Sequence, residues 1–159
     1  MVDVEARLTA LERRVRQLED QVAIYQVLST YGAAADGASV AAMSDLWTDD
    51  AVYDAQIVAF DGRAEILAML KSDMHQEIIQ GGAAHVIGMP SVRIDGDKAV
   101  ATCCARLYRK DGHSFRAWRV TACRWELVRD ENRWRIEKRV NKLLDGSEDA
   151  RALLRSGIE

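Results

Sequence analysis

Between residues 4 and 25 the apolar positions are Val4, Leu8, Leu11, Val15, Leu18, Val22 and Tyr25, at alternating spacings of four and three. That spacing predicts a helix with one narrow apolar stripe, with valine at a positions (Val15, Val22) and leucine at d positions (Leu11, Leu18). Charged residues such as Glu12, Arg13, Arg14, Arg16 and Glu19 fill the gaps. A stripe of this kind either covers its own domain's core or forms an arm that packs on another subunit. Three heptads are short for a free coiled coil, so an arm would have to dock. The helix is expected to continue through "YQVLSTYGAAADG" and to end near Asp36-Gly37, because glycine commonly follows the last helical residue. Ser39 can cap a second short helix, "VAAMSDLW". "AVYDAQIVAF" then alternates as a strand, "DGRAEILAMLKSDM" reads as a third helix with Ile66, Leu67 and Leu70 on one side, and "HQEIIQGGAA" reads as a loop.

After residue 84 the pattern changes to four strands. They are residues 84–94, "KAVATCCARLYRK", "SFRAWRVTACRWELV" and "RWRIEKRVNKL", with hairpin turns at Asp95-Gly96, Asp111-Gly112 and Asp130–Asn132. A short helix over about 147–155 ends the chain. Helices first and an antiparallel meander after them predict an α+β fold, a curved sheet wrapped on its helices. The chain has one proline, Pro90, and no low-complexity segment, so residues 1–159 read as one domain with residues 1–20 as a heptad-patterned extension.

Composition narrows the function. The 22 Lys and Arg against 25 Asp and Glu give no electrostatic case for nucleic acid or an anionic membrane surface. The opening "MVDVEARLTALERR" is too charged for a signal peptide, and no apolar run approaches a membrane span, so a cytoplasmic protein is expected. Cys103, Cys104 and Cys123 show no CxxC spacing and read as buried thiols in a reducing compartment. Three histidines without an i,i+4 pair do not suggest a metal centre. Of these, His75 and His113 read as surface residues. His85 opens the apolar strand "HVIGMPSVRI" and is the one that needs a reason.

Several motifs in order, "YGAAADG", "LWTDDAVYD", "FDGRAEI", "HVIG" and "RWRIEKR", resemble the SnoaL-like branch of the NTF2-like superfamily across about residues 20–142. That branch includes dehydratases and a dehydrochlorinase. The resemblance implies a cone formed by the sheet and closed by helices, with a ligand pocket inside. It also implies that Asp36, at the end of the first helix, meets His85 inside the cone as a catalytic pair needing no cofactor. Chemistry makes that reading sensible: a carboxylate on one ring nitrogen fixes the tautomer and raises the basicity of the other. Asp before Gly is also an ordinary turn residue, so a structural role for Asp36 stands beside the catalytic one. The sequence departs from the scytalone-dehydratase pattern at Ala35, and Lys110 stands where that pattern has a second histidine.

Strand alternation with family spacing assigns Tyr108, Thr121 and Cys123 to inward faces, with Arg119 on the same side, while Tyr31 and Tyr53 supply further hydroxyls. If His85 faces inward, so do Ile87 and Met89. Arg106 and Arg119 can equally pair with acidic residues at a solvated edge, and Trp47 and Trp134 read as core. The first expected function is a lyase or isomerase, dehydratase-like, acting on a small hydrophobic cyclic substrate. The alternatives are a non-catalytic ligand-binding or accessory domain and, third, an epoxide hydrolase or polyketide cyclase. The run Trp118, Val120 and Ala122 beside Ala101, Cys103, Ala105 and Leu107 is expected on the outer sheet face as an oligomer contact, with a homotrimer favoured over a dimer.

Overall fold

The computed structural model describes residues 3–159, so residues 1 and 2 of the expected extension lie outside the described residues. Helix α1 runs Val4–Asp36, capped by Asp3, whose carboxylate accepts the N–H groups of Glu5 and Ala6. Ser39 caps α2 (Val40–Leu46) by accepting from the N–H of Ala42. The expected strand over 51–60 is a hairpin: β1 spans Trp47–Asp54 and pairs antiparallel with β2, Ala59–Asp61. Helix α3 is Arg63–Lys71, with Ile66 and Leu70 buried and Leu67 half-buried.

The expected loop after it is instead a fourth helix, α4 (Asp73–Gln80). Its cap is Ser72, whose hydroxyl accepts from the N–H of His75 at 3.3 Å. The capping signal lies in the preceding motif, and the helix is only eight residues long, with Met74, Ile78 and Ile79 set among polar residues.

The strands follow as β3 (Ala83–Ile87), β4 (Ser91–Asp95), β5 (Lys98–Asp111), β6 (Ser114–Asp130) and β7 (Arg133–Leu143). The expected strand over 84–94 is thus two strands broken at Gly88–Pro90, both pairing with β5. Met89 falls in that break and is exposed instead of facing inward. The seven-stranded sheet has the order β2-β1-β7-β6-β5-β3, with β1 and β7 parallel and the other pairs antiparallel. It curves around α1, α2 and α3 without closing. Trp47, Trp125, Ile24, Leu28, Met43 and Ile66 are fully buried in the space it encloses. Burying a large apolar side chain to that extent contributes about 1.5–3 kcal/mol.

Two irregularities set which side chains look inward. Between Leu107 and Tyr108 of β5 the pairing slips, leaving Trp118 as an extra residue on β6. Between Glu126 and Leu127 of β6 it slips again, leaving Glu137 as an extra residue on β7. The face assigned to β5 from sequence is reversed. Ala99, Ala101, Cys103 and Ala105 belong to the core, and Leu107 follows them inward. The expected apolar outer patch therefore loses its β5 half. Of its β6 half, Ala122 is covered, because the last helix, α5 (Glu148–Arg155), packs over β6 and β7, while Trp118 stays 54 % exposed beside the cavity. Arg93 and Arg124 on that outer face donate to the carbonyl of Ser156 at 2.6 and 3.2 Å, and Ala122 beside them is fully buried.

Candidate active site

The last turn of α1 lies directly on the start of β3. Gly32 makes this approach possible: a Cβ there would stand 2.5 Å from the carbonyl oxygen of His85. One helical turn later, Asp36 grips His85 with both carboxylate oxygens. Oδ2 accepts the backbone N–H of His85 at 2.8 Å, and Oδ1 accepts Nδ1–H of its ring at 2.5 Å. That bond fixes the tautomer, so Nε2 carries the lone pair. Nε2 has no hydrogen-bond partner among the described residues, and His85 lines the internal cavity.

His75 is also in the site, contrary to the surface position expected for it. It is 6 % exposed, and its Nε2–H donates to the carbonyl of Ala35 at 3.0 Å. Its ring stacks on that of His85 with centroids 5.9 Å apart. Burial holds the His85 pKa below its ordinary value, opposed by the hydrogen bond and charge of Asp36, while Arg139 and His75 push it further down. At neutral pH His85 is therefore a neutral imidazole with an open basic nitrogen. Lys110, which took the second histidine's place in the sequence, is exposed at the end of β5.

The opposite wall is built on β7. Arg139 is 4 % exposed, with its guanidinium carbon over the rings of Trp125, Tyr31 and Tyr53 at 4.1, 4.2 and 4.7 Å. Its Nε–H donates to Asn141 Oδ1 at 3.2 Å, and Asn141 in turn donates to the Tyr53 hydroxyl at 3.1 Å. Its Nη1 is buried without any partner. A guanidinium cannot lose its proton in a protein, so a positive charge with no carboxylate bonded to it stands in the cavity wall. Both Arg139 and Asn141 were missed in the sequence. Strict alternation from Trp134 and Ile136 points them outward, and the extra residue at Glu137 turns them in.

The expected residues divide clearly. Tyr31, Tyr53, Arg119, Thr121 and His85 line the cavity. Burial pushes the Tyr31 phenol well above its usual pKa, so that hydroxyl stays protonated. Arg119 donates to the carbonyl of Ala55 at 2.8 Å and ties the β1–β2 turn across the mouth. Cys123 lies behind the lining, with its sulfur 4.0 Å from Arg139 Nη2. The hydrogen bond from Cys103, with which it is paired across β5 and β6, pushes its thiol pKa down, helped by Arg139 and opposed by burial. Cys103 is pushed the other way by the same bond, and by its own burial. Tyr108 is not part of the lining, since it follows the inward Leu107 on β5 at the pairing slip.

The cavity measures about 170 Å³, smaller than the few hundred Å³ expected for a small-molecule site. Met43, Met69, Leu70, Ile78 and Ile87 are part of its apolar wall, and its polar groups come from α1, α4 and strands β1, β3, β5, β6 and β7. An apolar cavity of about 150 Å³ takes up benzene, so the space suits one ring. Among the described residues no group of three His, Cys, Asp or Glu side chains is placed to hold a metal ion, and no helix is long and apolar enough to cross a membrane.

Residues 16–140 match a family model described as a SnoaL-like domain. Among solved structures, an NTF2-like protein with a cystatin-like fold from Novosphingobium aromaticivorans is 37 % identical, with a TM-score of 0.89 over 97 % of this chain and 98 % of that one. A protein of unknown function from Mycobacterium tuberculosis is 14 % identical, with a TM-score of 0.73 over 90 % of this chain and 89 % of the other. Aln2 from Streptomyces is 17 % identical, with a TM-score of 0.69 over 82 % and 93 %. These last two share the fold. Nothing among curated proteins matches the chain.

Proposed function

The chain belongs to the SnoaL-like domain family of the NTF2-like superfamily, and from that premise we propose that it is a cofactor-independent lyase or isomerase acting on a small hydrophobic ring. The observation that carries this reading is the open Nε2 of a neutral, Asp36-oriented His85 at the wall of an apolar cavity. In the proposed reaction, Nε2 removes a proton from the carbon beside a ring carbonyl. The electron pair of the broken C–H bond moves to the carbonyl oxygen, and the free N–H of Arg139 Nη1 meets the negative charge that develops there. The enolate then collapses to an enone while a β-hydroxyl leaves, taking the proton back from His85 as water. In the isomerase variant the same proton returns to a different carbon.

The test is turnover of a panel of cyclic β-hydroxy ketones, followed by enone absorbance, with deuterium exchange at the α-carbon read by mass spectrometry. His85→Ala and Asp36→Asn are each expected to lower kcat by about 10²–10⁴-fold, the usual contribution of a placed acid–base group. Because the basic form of His85 is the active one and its pKa is lowered, kcat/KM should stay level near neutrality. It should fall only as pH drops below the ordinary histidine value of 6.5. A ring ketone that binds in the cavity while no member of the panel exchanges or eliminates would favour the non-catalytic ligand-binding reading instead.

A further inference from the structure

Residues 4–19 of α1 run out from the domain, with Arg13, Arg16, Gln17 and Glu19 beside a groove that Arg129 and Trp134 also line. Every one of them is exposed except Ala10, which is half-buried, and the stripe Val4, Leu8, Leu11, Val15, Leu18 and Val22 is 51–75 % exposed. The stripe therefore does not cover this chain's own core. Where α1 reaches the body, Asp20 accepts from Arg129 at 2.8 Å and from the indole N–H of Trp134 at 3.0 Å. Asp20 stands at the f position of the heptad, on the side of the helix away from a and d. The contact that fastens the helix thus aims the apolar seam off the domain. A solitary helix of this length is marginal in water, although the buried remainder of α1 already supplies its nucleus.

The charges beside the seam identify what covers it. With a at Leu8, Val15 and Val22 and d at Val4, Leu11 and Leu18, the e positions are Glu5, Glu12 and Glu19, and the g positions are Arg7, Arg14 and Gln21. In a parallel pair each g residue faces the e residue five places on in the other helix. That sets Arg7 against the partner's Glu12 and Arg14 against the partner's Glu19, on both sides of the seam. An antiparallel pair would set e against e and g against g, glutamate on glutamate and arginine on arginine. Valine at a with leucine at d also suits two strands. We propose that residues 4–22 pair with the same segment of a second copy of this chain as a parallel, in-register, two-stranded coil about 28 Å long, joining two domains at their first helices.

Sedimentation equilibrium of the full chain tests this. The expected mass at saturation is twice the 17.8 kDa of one chain. Glu12→Arg with Glu19→Arg should weaken association by at least 10-fold, and so should Arg7→Glu with Arg14→Glu. All four changes in one chain should restore it, which a merely disrupted helix would not do. Leu8→Cys should form a self-crosslinked dimer under mild oxidation that the parent chain does not form, since in-register pairing brings the two a positions together, while Cys103 and Cys123 are buried and the half-buried Cys104 is common to both chains. A thermal melt unchanged between the charge variants shows that the domain itself is intact. A monomer at every concentration, a threefold mass, or association insensitive to the charge changes would each overturn the proposal, as would a four-fold variant as weak as the two-fold ones.

Discussion

The two halves of α1 are one continuous helix with two different apolar faces. From Ile24 onward the buried residues are Ile24, Leu28, Tyr31, Ala34 and Ala35, and they fill the cone. Before residue 20 the apolar stripe lies on the a and d positions and is more than half exposed. The change of face falls at Asp20, where the body takes hold of the helix. Helical periodicity alone does not reveal this, since both halves keep a regular spacing. It takes the phase of the stripe, followed turn by turn, to separate a helix that builds a site from one that reaches away from it.

That contrast can be broken most severely from the buried half. Leu28→Ala is expected to cost about 2–5 kcal/mol of unfolding free energy in urea denaturation, because the residue is 1 % exposed and its cavity cannot collapse against the cone. A loss below 1 kcal/mol would mean the buried half is loosely packed. Gly32→Ala should cost about 1–3 kcal/mol as an overpacking change, since the clash is with a backbone carbonyl and not a movable side chain. It should also lower turnover by shifting His85 from Asp36, while stability loss with unchanged turnover would separate the two.

At the junction the expected effect is smaller and depends on pH. The hydrogen bond from Arg129 holds the Asp20 carboxyl below its ordinary value, against the opposing effect of burial. A lowered carboxylate pKa contributes stability that is fully present above the unfolded value of 3.8 and is lost as pH falls through the folded value. Asp20→Asn should therefore cost about 1 kcal/mol at neutral pH and almost nothing in strong acid. A difference that stayed constant down to strong acid would show that the ion pair is not what fastens the helix. The smallest effect belongs to the exposed half. Leu11→Ala, measured at a dilution where copies are separate, should change the stability of the domain by less than about 0.5 kcal/mol.

Much of the frame could be read from the chain. The end of α1 at Asp36, the Ser39 cap and the three hairpin turns follow from local chemistry, and Gly96 and Gly112 do take positive φ where those turns need it. The approach of Asp36 to His85 was legible only through the family resemblance, because nothing local says that a helix end and a strand start 49 residues apart will meet. The rest was lost to parity. Alternation assumes an uninterrupted pleat, and one unpaired residue reverses every later side chain on its strand. That hides Arg139 and Asn141, whereas β5 alternates without interruption from Ala99 to Leu107 and its reversed face comes from the family spacing that set Tyr108 inward. His75 is hidden differently: its helix is short, and the groups it meets, the Ala35 carbonyl and the His85 ring, are distant in sequence.

The unpaired Glu137 has a consequence for how this segment can vary. Its own identity is almost free, since it contributes a place in the count and no contact to the cavity. The count itself is not free. Removing one residue between Ile136 and Arg139 would restore an even pleat and send the guanidinium to the outside of the sheet, and adding one would do the same. A lineage can therefore rewrite the letter at position 137 while its segment length stays fixed, so that here a gap in an alignment would be a more damaging change than most substitutions.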